Sequence, residues 1–118
     1  MIDFEAAENG KVLVIKYRGA LTKSSAGDFR LTLQGAIKTM EAFSIPASIV
    51  IDVQVHTVYN KGIYALVNDV LLFLLGYRKC ALCCRNHSQK ERIVNSMALI
   101  KSIPIFSSKK EAIEHCLK

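Results

Sequence analysis

Proline and glycine are scarce in this chain, at 2 and 6 of 118 residues, which excludes collagen-like and low-complexity architectures. A bilayer span needs about 20 apolar residues. The most apolar run, Ile63–Leu75, is shorter than that and carries Asn68 and Asp69. The opening Met-Ile-Asp-Phe-Glu is acidic and has no basic stretch ahead of an apolar core, so no secretory signal is expected. These absences predict a cytoplasmic protein without direct membrane insertion. Catalytic signatures are missing too: there is no Gly-rich phosphate loop, no H-E-x-x-H and no G-x-S-x-G. His56, His87 and His115 have no carboxylate at a spacing expected to orient them, and no Ser or Cys nucleophile is paired with a base. No enzyme activity and no cofactor are therefore expected. The length fits one domain over residues 1–118 and leaves little room for a second.

What is present is ordinary globular material. Hydrophobic residues make up 51% and charged residues 22%, enough apolar content to exclude disorder as the main description. The formal net charge is +6, and it is uneven: residues 1–59 carry 6 basic and 6 acidic side chains, residues 60–118 carry 10 and 4. A basic half can face an acidic partner, a nucleic acid or an anionic surface, or simply water. Aromatics are 8%, and none interleaves with the basic cluster Arg85–Arg92, so base stacking has no support and no nucleic-acid partner is expected.

Cys80, Cys83, Cys84 and Cys116 invite a metal or redox reading, since Cys80-Ala-Leu-Cys83 has C-x-x-C spacing. A structural zinc site needs a second ligand pair, and only Cys116 remains. The run Lys79–Cys84 reads as a strand, in which Cys80, Leu82 and Cys84 point one way and Ala81 and Cys83 the other. That splits the C-x-x-C pair across two faces. Buried reduced thiols acting as small hydrophobes are the expectation, with no metal.

Along the chain, Ile2–Ala7 and Lys11–Arg18 read as strands joined through Glu8-Asn9-Gly10, where Asn-Gly is a hairpin signal. Ser24 or Ser25 opens a helix, and Ser25-Ala-Gly-Asp28 has capping-box spacing. Phe29, Leu33, Ala36, Ile37 and Met40 form its apolar stripe, and it ends near 42–44, before Pro46. Ala47–Val53 is a buried central strand, Val55–Lys61 a polar loop, and Ile63–Leu75 a second helix. Lys79–Cys84 is a strand and Gln89–Ile100 a third helix. Ile103–Phe106 is an edge strand marked by Pro104. Ser108-Lys-Lys-Glu111 is a capping box opening a final helix with Ala112, Ile113 and Cys116 inward. The order ββαβαβαβα predicts an α/β fold, one mixed β-sheet with about four α-helices packed on it.

Three stretches, in order, resemble the STAS domain, the fold of bacterial anti-sigma factor antagonists. They are Val12-Leu-Val-Ile-Lys-Tyr-Arg-Gly-Ala-Leu21, Ile49-Val-Ile-Asp52 with its loop into Gly62, and Ile103-Pro-Ile-Phe-Ser-Ser-Lys-Lys-Glu-Ala-Ile113. The resemblance covers residues 10–117. It implies a signalling site in the second stretch, where a typical member reads Asp-Ser-Ser-Gly at a helix start and a partner kinase phosphorylates the first Ser. Here the matching tetrapeptide is Tyr59-Asn60-Lys61-Gly62, so Asn60 is the phosphorylation-site equivalent.

A phosphoserine would bring about −1.5 to −2 charges to a helix N-terminus, where backbone N–H groups favour it. Asn60 can cap the helix but cannot accept phosphate, and Lys61 adds a positive charge instead. The resemblance thus implies a non-catalytic module that binds an anti-sigma factor-like kinase or another regulator and is not controlled by phosphorylation at the usual Ser. The contact would comprise Gln54, His56, Thr57, Tyr59, Asn60, Lys61 and Gly62. Apolar residues wrap nearly the whole circumference of the helix Ile63–Leu75, more than one sheet can cover. Either loops bury the excess, or it forms an exposed patch that puts Phe73 and Leu74 beside the contact or in a homodimer face. Two other readings within the same resemblance stay open: a subunit bound to the ATPase of a lipid-transporting ABC complex, and a component of a stressosome-type scaffold.

Overall fold

The computed structural model describes residues 2–42, 48–58, 62, 65, 79–96 and 103–118. Strand β1 (Ile2–Ala7) returns antiparallel along β2 (Val12–Leu21), with Ile2 opposite Tyr17 and Ala7 opposite Val12. The turn is centred one residue earlier than the Asn-Gly pair suggests. Glu8 and Asn9 both sit in the left-handed region (φ 51° and 60°), and the Gly10 N–H donates to the Ala7 carbonyl at 3.1 Å. Two consecutive left-handed residues match the twist of the flanking strands.

Helix α1 (Lys23–Ala42) starts earlier than predicted. The Ser25 N–H donates to Thr22 Oγ1 at 3.1 Å, and the Thr22 N–H donates back to Ser25 Oγ at 2.9 Å. Thr22 is thus the cap, and Ser25 takes the position that Glu or Gln fills in the usual box. The Ser25 hydroxyl also reaches the Ala20 carbonyl at 3.0 Å, tying the helix start to the end of β2. Phe29, Leu33 and Ile37 are buried as the stripe predicts, and Phe29 packs edge-on against Tyr17 with ring centroids 5.1 Å apart.

Strand β3 (Ser48–Val58) overturns one expectation: residues 55–58, read from their polar content as loop, continue the strand. They pair with the end of β2, which itself runs on past Arg18 to Leu21. β-branched Val55, Thr57 and Val58 suit that extended backbone. Strand β4 (Cys80–Cys84) lies parallel to β3, and the short β5 (Ile105–Phe106) parallel to β4. The sheet order is β1-β2-β3-β4-β5, so β5 is an edge strand, as Pro104 indicates. The Pro104 carbonyl accepts from the Leu82 N–H at 2.9 Å.

Helix α2 (His87–Ser96) starts ahead of the predicted Gln89, with Asn86 Oδ1 accepting from the Gln89 N–H at 3.0 Å. Helix α3 (Lys109–Leu117) is capped by Ser108, whose hydroxyl accepts from the Glu111 N–H. Of the predicted helix Ile63–Leu75 only Ala65 is described; it and the preceding Gly62 are helical and buried.

The sheet is covered on both faces. On one, Ala26, Phe29, Leu33 and Ile37 of α1, together with Ala65 and with α2's Ile93, pack on Ile15, Tyr17, Ile49, Ile51, Val53, Cys80, Leu82 and Cys84. On the other, Ala112 and Cys116 of α3 pack on Val12, Val14, Val50, Ala81 and Cys83. The alternation of the cysteines along β4 is as the strand reading predicts. Cys116 Sγ lies against the Ile49 carbonyl, and Lys109, a helical turn or more away, reaches Glu5.

Candidate functional site

The residues expected to form a contact divide three ways. Gln54, His56 and Thr57 belong to β3, not to a loop; Gly62 is buried and helical; Tyr59, Asn60, Lys61, Phe73 and Leu74 lie outside the described residues. The ladder between β2 and β3 breaks at this end of the sheet. Gly19 pairs with Val55 and Ala20 with Thr57, so His56 is one residue more than β2 can oppose. Gly19 takes φ 104° here, a conformation costly for residues with a Cβ. Such bulges bend a strand and re-aim the chain beyond them. The break thus stands between the regular ladder and the segment leading into Gly62.

Below it, on the α3 face, sits a charged residue that the sequence placed in a buried run. Asp52 is fully buried, between Lys16 of β2 and Cys83 of β4 in the register. Gln54 Nε2 donates to Asp52 Oδ2 at 2.7 Å, and Arg85 Nη2 stands 3.8 Å from the same oxygen. Asp52 Oδ1 is buried with no hydrogen-bond partner among the described residues. A buried carboxylate with one short bond and one long ion pair costs stability, since its lost hydration is incompletely replaced. Neither Asp52 nor Arg85 is among the site residues that the sequence predicts. The signal that could have found Asp52 is a lone acid inside the run Ile49-Val-Ile-Asp-Val53.

The neighbouring thiol records the same field. Burial first, and then the Asp52 charge, push Cys83 up to about 11, with Arg85 opposing. Burial pushes Cys80 up to about 12, with Cys116 adding to it, and burial raises Cys84 and Cys116 as well. All four thiols are buried and reduced. Thiolate chemistry at neutral pH is disfavoured at each. Among the described residues no group of three or more His, Cys, Asp or Glu is placed to hold a metal ion.

Outside the sheet end, Lys16 pairs with Glu5 at 2.9 Å, Arg18 with Asp3 at 3.5 Å, and Lys109 with Glu5 at 3.6 Å. The hydrogen bond from Lys16, then the charge of Lys109, hold the Glu5 carboxyl below its ordinary value. One expectation about the histidines needs correcting. His87, expected to have no carboxylate at an orienting spacing, opens α2, which brings Glu91 Oε1 to 3.1 Å from its Nε2 one helical turn on. Both side chains are well exposed, so this is a surface pair, not a catalytic dyad. His115 packs beside the ring of Phe106, centroids 5.5 Å apart.

No family model and no curated protein sequence matches this chain. Solved structures similar to it include the following two. One is the anti-sigma factor antagonist SpoIIAA in its unphosphorylated form, at TM-score 0.55 and 12% identity, over 97% of this chain and 96% of that one. The other is an uncharacterized protein of the DUF3478 family with a SpoIIAA-like fold, from Shewanella loihica PV-4. It aligns at TM-score 0.57 and 16% identity, over 97% of this chain and 90% of that one. The chain therefore has the STAS-like, SpoIIAA-type α/β fold that the three sequence stretches pointed to. Among the described residues no helix is long and apolar enough to cross a membrane.

Proposed function

We propose that this chain is a non-catalytic regulatory module that acts by binding another protein, with the segment from Gln54 to Gly62 as its contact. The observation that carries the reading is the likeness over 97% of the chain to an anti-sigma factor antagonist, a protein whose name states a regulatory role. The bulge opposite Gly19 supports the location, because it lies where β3 leaves the regular ladder and heads for the helical Gly62. Fold likeness alone does not assign function. The chemistry of the segment itself supplies the rest.

The SpoIIAA structure is described as unphosphorylated, so that protein has two charge states. This chain carries Asn60 and Lys61 before Gly62. An amide can satisfy backbone N–H groups at a helix start as a hydroxyl does, but it stays neutral. The module is thus held in one charge state, with Lys61 offering a cation to the partner. Regulation comes from the amount or location of the module or its partner instead of from phosphate on this loop.

The test is capture from native lysate by the purified chain, with the Asn60→Asp/Lys61→Glu pair run alongside. That pair adds the negative charge a phosphate would bring. Discrete proteins retained by the native chain and lost with the pair support the reading. The same proteins on both forms remove the segment as the contact.

A further inference from the structure

A cleft of about 210 Å³ opens beside the bulge, between the start of β1, the far end of β2 and the first two turns of α1. Ile2, Tyr17, Gly19, Ala20, Ser25 and Asp28 line it. Ile2 and Tyr17 are register partners that pack with the α1-side core, and they give the cleft an apolar floor. Pockets for drug-sized ligands run to about 300–1,000 Å³. This one is smaller and suits a single side chain.

Its charge is of one sign. Asp28 is exposed, and it makes no ion pair among the described residues. Its helix neighbours three and four places away, Ser24, Ser25, Leu31 and Thr32, are all uncharged. Arg18 borders the cleft too, but it leaves β2 on the face opposite Tyr17, where its guanidinium pairs with Asp3 at 3.5 Å. The Asp28 charge is felt inside the cleft: burial raises the Tyr17 hydroxyl above its ordinary value, a hydrogen bond with Ser25 opposes this, and Asp28 adds to it. That hydroxyl donates to the Ala20 carbonyl at 3.3 Å and keeps acceptor capacity on its oxygen. An apolar floor, acceptor oxygens and an unpaired carboxylate suit a cation on an aliphatic stem.

Resting on the reading of this chain as a protein-binding module, we infer that this cleft receives a lysine side chain of the partner protein. The stem lies along Ile2 and Tyr17, and the ammonium meets Asp28, with the Tyr17 oxygen as a further acceptor. Position ties the cleft to the partner. Gly19 and Ala20 pair with Val55 and Thr57, so a protein seated on the Gln54–Gly62 segment borders it. The chain's excess positive charge lies elsewhere, since residues 1–59, which supply the lining, hold 6 basic and 6 acidic side chains.

The test is titration of the full chain with a short lysine-centred peptide, its acetyl-lysine counterpart and spermidine, followed by amide chemical shifts. The acetylated peptide keeps the stem and loses the charge. The expected result is shifts grouped at Tyr17–Ala20 and Ser25–Asp28 with the lysine peptide, and binding at least about tenfold weaker for the acetylated peptide and for Asp28→Asn. Glu114→Gln, which removes an equal charge at an exposed position on α3, leaves binding unchanged. A thermal melt shows whether Asp28→Asn folds; the acetylated peptide tests the charge without any variant. No shifts with the lysine peptide, equal binding of the two peptides, equal losses in Asp28→Asn and Glu114→Gln, or spermidine bound more tightly than the peptide at the same amides overturns the inference. A partner captured equally by the native chain and Asp28→Asn, but lost with Asn60→Asp/Lys61→Glu, overturns the cleft and leaves the module reading intact. Lysine peptide bound in the cleft, with the Asn60/Lys61 pair capturing the same proteins as the native chain, supports the cleft and removes the Gln54–Gly62 segment.

Discussion

The side-chain amide of Gln54 donates to Oδ2 of Asp52 at 2.7 Å, two residues back along the same strand. This bond is the only short one the buried carboxylate makes among the described residues, so each partner depends on the other. Gln54→Ala leaves a buried charge facing only a guanidinium at 3.8 Å; Asp52→Ala leaves an amide without its acceptor. Each is expected to cost about 1–3 kcal/mol. The double variant costs less than both together, with a coupling of at least about 1 kcal/mol in urea unfolding. Strict additivity would show that the pair is not coupled.

Helix α1 depends on Thr22, not on Ser24. Thr22→Ala is expected to lower stability by about 1 kcal/mol, and Thr22→Ser to restore most of it. Ser25→Ala removes the acceptor for the Thr22 N–H and has a similar effect. Ser24→Ala, at an exposed neighbour, stays within about 0.5 kcal/mol. A larger effect at Ser24 than at Thr22 in the same unfolding assay would move the cap to Ser24, one of the two serines first expected to open the helix.

The buried thiols give the fold an alkaline limit. Cys80 and Cys83 titrate near 12 and 11 when folded, against about 9 for an ordinary thiol. Between those values the unfolded chain has lost protons that the folded chain keeps, so stability is complete below about pH 9 and falls as pH rises toward 11 and 12. Each thiol adds at most about 1.4 kcal/mol per pH unit to that slope. The Cys80→Ala/Cys83→Ala variant is expected to start less stable and to lose less between pH 9 and 11. Parallel losses in the two chains, measured by urea unfolding at each pH, would assign the alkaline limit to other groups.

Much of the architecture could be read before the structure, because it rests on local patterns. The stripe Phe29, Leu33, Ile37 has helical period, and the Cys80–Cys84 run alternates between two covered faces as its period of two requires. The errors cluster where tertiary pairing overrides local character. Residues 55–58 look like loop by polarity, yet β2 extends to Leu21, far enough to pair with Val55, Thr57 and Val58 and leave His56 as the bulge. Thr22 outcompetes the serines as cap because the Ser25 hydroxyl is drawn back to the Ala20 carbonyl. That Arg18, Gln54 and Arg85 stand level on three adjacent strands was not legible at all. Those residues are far apart in sequence, and only the strand register makes them neighbours. Asn60 and Lys61, in contrast, were informative as sequence alone, through what stands in place of a serine.

The central claim is that the segment entering Gly62 touches a protein partner. It is tested most directly by placing a photo-activated cross-linking residue at Lys61 in the full chain, in native cells, with a second chain carrying it at Leu117, an exposed position on α3. The account predicts a discrete protein adduct from position 61 that disappears with Asn60→Asp and does not form from position 117. No adduct from position 61, or the same adducts from both positions, would contradict it.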